Sequence, residues 1–244
     1  MNERVSVIKG KIPVILVCPH GHDDTNTAII TETAANILKC HAVINHGFEK
    51  SDFVDVTKDL ANCNRVDHAK QPVVFEEFLR PIIKTKDKLW QKWYKTPIDR
   101  LNPVEHCCTI FHIHGCGDHI HKDAGFDVSM VIGCGIGEKK HSMSCTEWRI
   151  NCFIECFTKT AFGNGKICVG QGGSSYAGRD SNNMNQYFRK HATDPNVDSL
   201  QLEFPFSTRK TKTLAALTGA TLGASIGELL KYARFDKKPA INFI

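Results

Sequence analysis

The sequence has no long apolar run, no internal repeat, no low-complexity tract and no strong excess of one charge. Its longest uninterrupted apolar stretch is Val14 to Cys18, far short of the roughly 20 residues of a membrane-spanning helix, so no membrane partner is expected. The opening residues, MNERVSVIKGK, hold neither the apolar core nor the small-residue cleavage site of a secretory signal. A cytoplasmic location is therefore expected. No CxxC pair occurs anywhere. The 31 Lys and Arg against 26 Asp and Glu leave a net charge of only +5. Basic residues do gather in Arg80 to Arg100, with Trp90, Trp93 and Tyr94 among them, and in Thr208 to Thr213. Without a nucleic-acid-binding module these read as solvated faces with aromatics packed inward, so no nucleic-acid partner is expected. A mildly positive field suits a small anionic substrate.

What is present is ordinary except in two respects. Hydrophobic residues at 41% and charged residues at 23% fit a globular chain, and no linker divides it, so residues 1–244 are expected to form one domain. The unusual counts are 11 cysteines and 12 histidines. The odd cysteine number and the adjacent Cys107 and Cys108 do not suggest a disulfide framework, and the cysteines read as reduced, small core residues. The histidines cluster.

Pattern along the chain alternates between strand and helix. Val14 to Val17, Ala42 to Asn45, Cys107 to Ile113, Phe126 to Ile132, Ile167 to Val169 and Leu200 to Phe204 read as strands. Asn26 to Lys39, Val73 to Tyr94 (with a kink or split at Pro81), Cys145 to Thr160, Asn183 to Lys190 and Thr211 to Tyr232 read as helices. Gly219, Gly223 and Gly227 form a small-residue stripe expected to pack closely on a sheet. The order implies an α/β fold: a mixed, mostly parallel central sheet with helices on both faces. Gly133-Cys134-Gly135-Ile136-Gly137 is not a dinucleotide fingerprint, because its third glycine is misplaced and no helix directly follows.

In such a sheet, binding groups collect at the carboxyl ends of strands. His20-Gly21-His22-Asp23-Asp24 ends the first strand, His112-Ile113-His114-Gly115 a central one, and Gln201-Leu202-Glu203-Phe204 lies in a late one. His20 and Asp23 form an HxxD pair in a turn, and imidazole nitrogen with carboxylate oxygen suits zinc. His112 and His114 point to one face of their strand, so that one ligates and the other holds a neighbour, or both are core histidines. Iron or manganese accepts the same donors. Asn64-Arg65 offers a fork of donors for a carboxylate, or else a surface ion pair. Arg179 sits in a Gly- and Ser-rich loop suited to close approach by a substrate, or to pairing with Asp180.

Taken in order, the segments VILVCPHGHDD, NCNRVDHA, IFHIHGCGD, GSSYAGRDSNN and LQLEF, spread over residues 14–204, resemble the N-formylglutamate amidohydrolase family. More widely they resemble the zinc carboxypeptidase and aspartoacylase architecture, a zinc-exopeptidase (phosphorylase/hydrolase-like) fold. The resemblance implies one zinc per chain held by His20, Asp23 and His114, a substrate-carboxylate grip by Asn64 and Arg65, Glu203 as general base, and Arg179 in a further substrate-binding loop. Two departures stand out: relatives often place Asp two residues before the zinc histidine, where this chain has His112, and His22 and Asp24 flank the expected ligands. The implied activity is metal-dependent hydrolysis of a non-peptide linear amide C–N bond in a small N-acyl amino acid resembling N-formylglutamate. Glu203 would take the proton of the attacking water and return it to the leaving amine. A zinc exopeptidase acting on peptides or cell-wall fragments and a non-catalytic carboxylate-binding relative are the alternatives. The acyl group, the amino acid and assembly into a homo-oligomer are left open by the sequence.

Overall fold

The computed structural model describes residues 3–94, 108–135, 143–160, 166–170, 175–190, 197–231 and 242–243. One sheet runs through them: β1 (Val5–Ile8), β2 (Val14–Cys18), β3 (His41–Asn45), β4 (Cys108–Cys116), β5 (Val128–Gly133), β6 (Lys166–Val169), β7 (Val197–Pro205) and β8 (Asn242–Phe243). Their order across the sheet is β1-β3-β2-β4-β7-β5-β6-β8. Every neighbouring pair is parallel except β1–β3 and β5–β7. The helices are α1 (Thr27–Leu38), α2 (Pro72–Val74), α3 (Arg80–Tyr94), α4 (His119–Ala124), α5 (Glu147–Thr158), α6 (Met184–Lys190) and α7 (Lys212–Leu229). This is the mixed, mostly parallel α/β sheet expected from the pattern.

The short apolar runs are central strands buried on both faces. In β2, Val14, Leu16 and Cys18 enter a core shared with α1, α5 and α7, while Ile15 and Val17 enter a second core with α3 and α6. Alternation along β7 sorts residues by chemistry as well. Leu200, Leu202 and Phe204 belong to the first core, which leaves Ser199, Gln201 and Glu203 on the opposite face beside α6. On β4, Phe111 and Ile113 enter the first core, so His112 and His114 share the polar residues' face.

The helix expected to kink or split at Pro81 instead runs without a break through that residue, which lies second in α3. A π-helical turn, Phe75–Leu79, joins α2 to α3, widening the backbone just before a residue that has no N–H to donate one turn back. The charged face anticipated around Arg80 to Arg100 falls partly outside the described residues, as do the side chains of Trp90, Trp93 and Tyr94, and so do Cys107, Ile136 and Gly137. Ten described cysteines are buried and none forms a disulfide. Burial pushes the thiols of Cys18 and Cys40 up to about 12, as befits core filling. Among the described residues no helix is long and apolar enough to cross a membrane.

The glycine stripe of α7 meets a helix rather than the sheet. A Cβ on Gly219 would lie 2.6 Å from the Ile30 carbonyl oxygen of α1, whereas one on Gly227 would lie 3.6 Å from a Leu38 methyl. Gly219→Ala must push the α1 backbone aside and should destabilise the fold by about 1–3 kcal/mol. Gly227→Ala finds ordinary contact and should be neutral or stabilising by up to about 1 kcal/mol. Urea unfolding of both variants checks the difference, and equal effects would contradict this packing.

Candidate metal and substrate site

The chain leaves β2 through Pro19 into a single helical turn in which the Asp23 and Asp24 amides both donate to the His20 carbonyl, at 3.1 and 2.8 Å. Gly21 is required here because a Cβ would collide with the Asn45 carbonyl oxygen. Residues four apart in a helical turn share a face, so His20 and Asp24 point the same way. Asp24 Oδ2 lies 3.6 Å from His20 Nδ1 and 4.0 Å from His114 Nδ1, and it accepts the Gly115 amide at 2.9 Å. The two imidazoles meet edge to face, with centroids 5.0 Å apart. One donor atom from each of His20, Asp24 and His114 falls within 4.8 Å of the others.

The protonation pattern suits a cation. Asn62 Oδ1 accepts the Asn64 amide at 3.1 Å and lies 2.9 Å from His20 Nε2. It is therefore an acceptor, so His20 Nε2 donates to it and Nδ1 is the nitrogen that faces Asp24. Asn62 is steadied in turn by its own amide donating to His68 Nδ1 at 2.9 Å. Burial pushes His114 well below the ordinary histidine pKa, helped by the charge of His20. Its ring is neutral, and its Nε2 is buried without a hydrogen-bond partner. Burial alone would raise Asp24, but His20, His114 and the Gly115 amide outweigh it and hold the carboxyl at about 2. An ionised carboxylate beside two imidazole rings, one of them neutral with a buried nitrogen that has no partner, fits a divalent ion such as zinc.

Glu203 completes the cluster through register. His114 and Glu203 are direct partners in the parallel β4–β7 ladder. Glu203 is 6% exposed, and its Oε1 accepts from Gln201 Nε2 at 2.7 Å. Gln201 is fixed by Asn183 Nδ2 donating to its Oε1 at 2.8 Å. Burial and the nearby charge of Asp24 raise the Glu203 pKa to about 8, against the opposing effects of Gln201, Lys50 and Arg209.

All four groups line a cavity of about 520 Å³, within the range of small-molecule sites. Its other walls carry Lys50, Arg65, Tyr176, Asp180 and the carboxamides of Asn62, Asn64, Asn182, Asn183 and Gln201. The structure thus brings His20, His114, Glu203, Asn64 and Arg65 into one cavity. Asp23, expected as a ligand, turns outward: its Oδ2 accepts the Lys50 amide at 2.9 Å, and Asp24 takes the position beside the histidines. Arg179 is exposed and absent from the lining, where the adjacent Asp180 stands instead. The Gln186 side chain, whose Nε2 donates to the Gly178 carbonyl at 2.8 Å, holds the chain at that bend, while residues 171–174 of the same loop lie outside the described residues. His112 is a core histidine. It is fully buried, with Nε2 3.0 Å from Ser199 Oγ and its ring against Phe188. His22 is half exposed beside Asp23.

Two cations near the cluster were not singled out by the sequence reading. Lys50 carries no motif and lines the cavity with its backbone amide bound to Asp23 Oδ2. Arg209, in the basic Thr208 to Thr213 stretch, is buried and donates to the carbonyls of Phe204, Thr25 and Cys116 at 3.0, 2.8 and 3.1 Å. It ties together the ends of β7, β4 and the His20 turn.

No family model and no curated relative matches this sequence. Solved structures share its fold. A gene product from Agrobacterium tumefaciens is 12% identical over 94% of this chain and 94% of its own, with a TM-score of 0.54. An N-formylglutamate amidohydrolase from Ralstonia eutropha JMP134 is 8% identical over 95% of this chain and 98% of its own, with a TM-score of 0.56. A protein assigned as a carboxypeptidase from Burkholderia mallei ATCC 23344 is 15% identical over 93% of this chain and 59% of its own, with a TM-score of 0.53. The resemblance carried by the ordered sequence segments therefore holds at the level of fold.

Two outcomes check the site. Asp24→Asn should weaken zinc binding at least about tenfold, while Asp23→Asn should stay within about threefold of the parent, as read by competition with a chromophoric chelator. The reverse order would overturn the assignment of Asp24. Burial lowers the His112 pKa to about 3 in the fold, below the value of about 6.5 for an unfolded histidine. The stability this represents is present above pH 6.5 and lost as pH falls toward 3, at up to about 1.4 kcal/mol per pH unit. In chelator, His112→Gln should show a shallower loss of stability between pH 6.5 and 4 by urea unfolding. A decline identical to the parent's would mean that His112 accepts its proton without unfolding.

Proposed function

We propose that the protein is a metal-dependent amidohydrolase that cleaves the amide C–N bond of a small, anionic N-acyl amino acid resembling N-formylglutamate. The observation that carries this reading is the His20–Asp24–His114 cluster set directly beside a buried glutamate, Glu203, in one polar cavity. The fold shared with an amidohydrolase and a carboxypeptidase is consistent with it. Zinc is the ion favoured by the two-histidine, one-carboxylate donor set. When bound, such an ion polarises the substrate carbonyl and lowers the pKa of water toward neutrality.

The chain's own residues supply the rest. Glu203 accepts the proton of the attacking water at a carboxylate oxygen and delivers it to the leaving nitrogen, with Gln201 fixing the carboxylate's orientation. A pKa raised by burial places it near neutrality, where a group can both take and give a proton. The carboxamides of Asn62, Asn64, Asn182 and Asn183 offer donors and acceptors to the substrate's polar atoms, and Lys50 provides positive charge. The cavity's volume favours a small substrate over an extended peptide. The ten described cysteines, buried and unbridged, suit work in a reducing compartment such as the cytoplasm.

Glu203→Gln should retain zinc at one ion per chain yet lose at least about a hundredfold in kcat on N-formyl and N-acyl amino acids. Metal analysis paired with an amine-release assay measures both quantities. Full activity in the variant would remove Glu203 from the mechanism, and a parent protein that hydrolyses dipeptides but not N-acyl amino acids would favour an exopeptidase.

A further inference from the structure

Arg65 and Lys50 both line the cavity, but their charges are not equally available. The Arg65 guanidinium is already engaged by Asp67 in a two-point contact, Nε to Oδ1 at 3.2 Å and Nη2 to Oδ2 at 2.8 Å. The charges of Asp52 and Asp180 act on it as well. Such a half-exposed pair is weak in itself, so a substrate carboxylate could displace Asp67. That exchange swaps one carboxylate for another and leaves Asp67, Asp52 and Asp180 to repel the newcomer, so Arg65 contributes little net attraction.

Lys50 differs in both respects. Among the described residues no carboxylate lies within ion-pair distance of its ammonium. Its backbone is fixed, because the Lys50 amide donates to Asp23 Oδ2 at 2.9 Å, so the aspartate next to Asp24 holds the lysine at the cavity wall. That bond sets Lys50 beside the turn that carries His20 and Asp24, at the cluster's end of the cavity it lines.

We infer that Lys50, rather than Arg65, is the specificity-determining residue that reads the substrate carboxylate adjacent to the scissile amide. The inference rests on the amidohydrolase reading for the kind of substrate, but its test needs no turnover. Calorimetric titration of the zinc-loaded protein, carrying Glu203→Gln throughout so that the ligand is not consumed, with N-acetyl-L-glutamate and with its α-amide isolates the contribution of that one carboxylate. The parent should bind the carboxylate form at least about tenfold more tightly, as expected for a hydrogen bond to a charged group. Lys50→Met should abolish the preference, Lys50→Arg should keep it, and Arg65→Met should leave it within about threefold. Loss of the preference in Arg65→Met with retention in Lys50→Met would overturn the inference. So would a parent that does not discriminate or does not bind. Amine release from the same ligand is measured separately, with Glu203 in place. Intact discrimination without hydrolysis would count against the amidohydrolase reading alone.

Discussion

The parallel pairing of β4 with β7 sets His114 directly opposite Glu203, and the remaining site geometry is built around that register. A slip of one residue would exchange the faces of the slipped strand, sending Leu202 and Phe204 toward the cavity and the glutamate into the α1–α5–α7 core. The register is held by that core itself, since Phe111, Ile113, Leu200, Leu202 and Phe204 are all fully buried on its side of the sheet. Arg209 then fixes how the strands end, by donating to carbonyls at the close of β4 and β7 and in the turn that follows His20. Hydrophobic packing thus sets which residues face the cavity, and a buried guanidinium sets where the turns sit.

Within that frame, two carboxyl groups are driven in opposite directions. Asp24 is partly buried, but neighbouring imidazoles and a backbone amide keep it ionised. Glu203 is more deeply buried and is pushed up to about 8 by burial and by the charge of Asp24. Divergent environments of this kind separate a charge-bearing role from a proton-carrying one. Burial keeps His114 neutral, so its ring can offer a lone pair to an ion.

Much of the fold was legible in the sequence because its periodicities are clean. The five-residue run of β2, the helical spacing of α1 and the β-branched and aromatic content of β4 all fall at their expected places. The edge strand β1 and the short α4 carried no comparable pattern. The site was readable at His20, His114 and Glu203, each at the carboxyl end of a strand, where topology alone concentrates chemistry. Asp24 was not separable from Asp23, because adjacent acids in a turn differ only in which backbone amide each one meets. Lys50 was invisible for a related reason: its position depends on a hydrogen bond from its own amide to Asp23, a contact between segments 27 residues apart in sequence. The family pattern suggested Arg179, but the structure turns that side chain outward and leaves Asp180 on the cavity wall.

The central claim is that His20, Asp24 and His114 form a metal site beside Glu203. Anomalous X-ray scattering from zinc-loaded crystals, collected on either side of the zinc absorption edge, tests it most directly. One strong anomalous peak per chain is expected, bonded at about 2.0–2.2 Å to a nitrogen of each histidine and to an Asp24 oxygen. A peak bonded instead by Asp23 or His22, or no peak in the cavity, would contradict it.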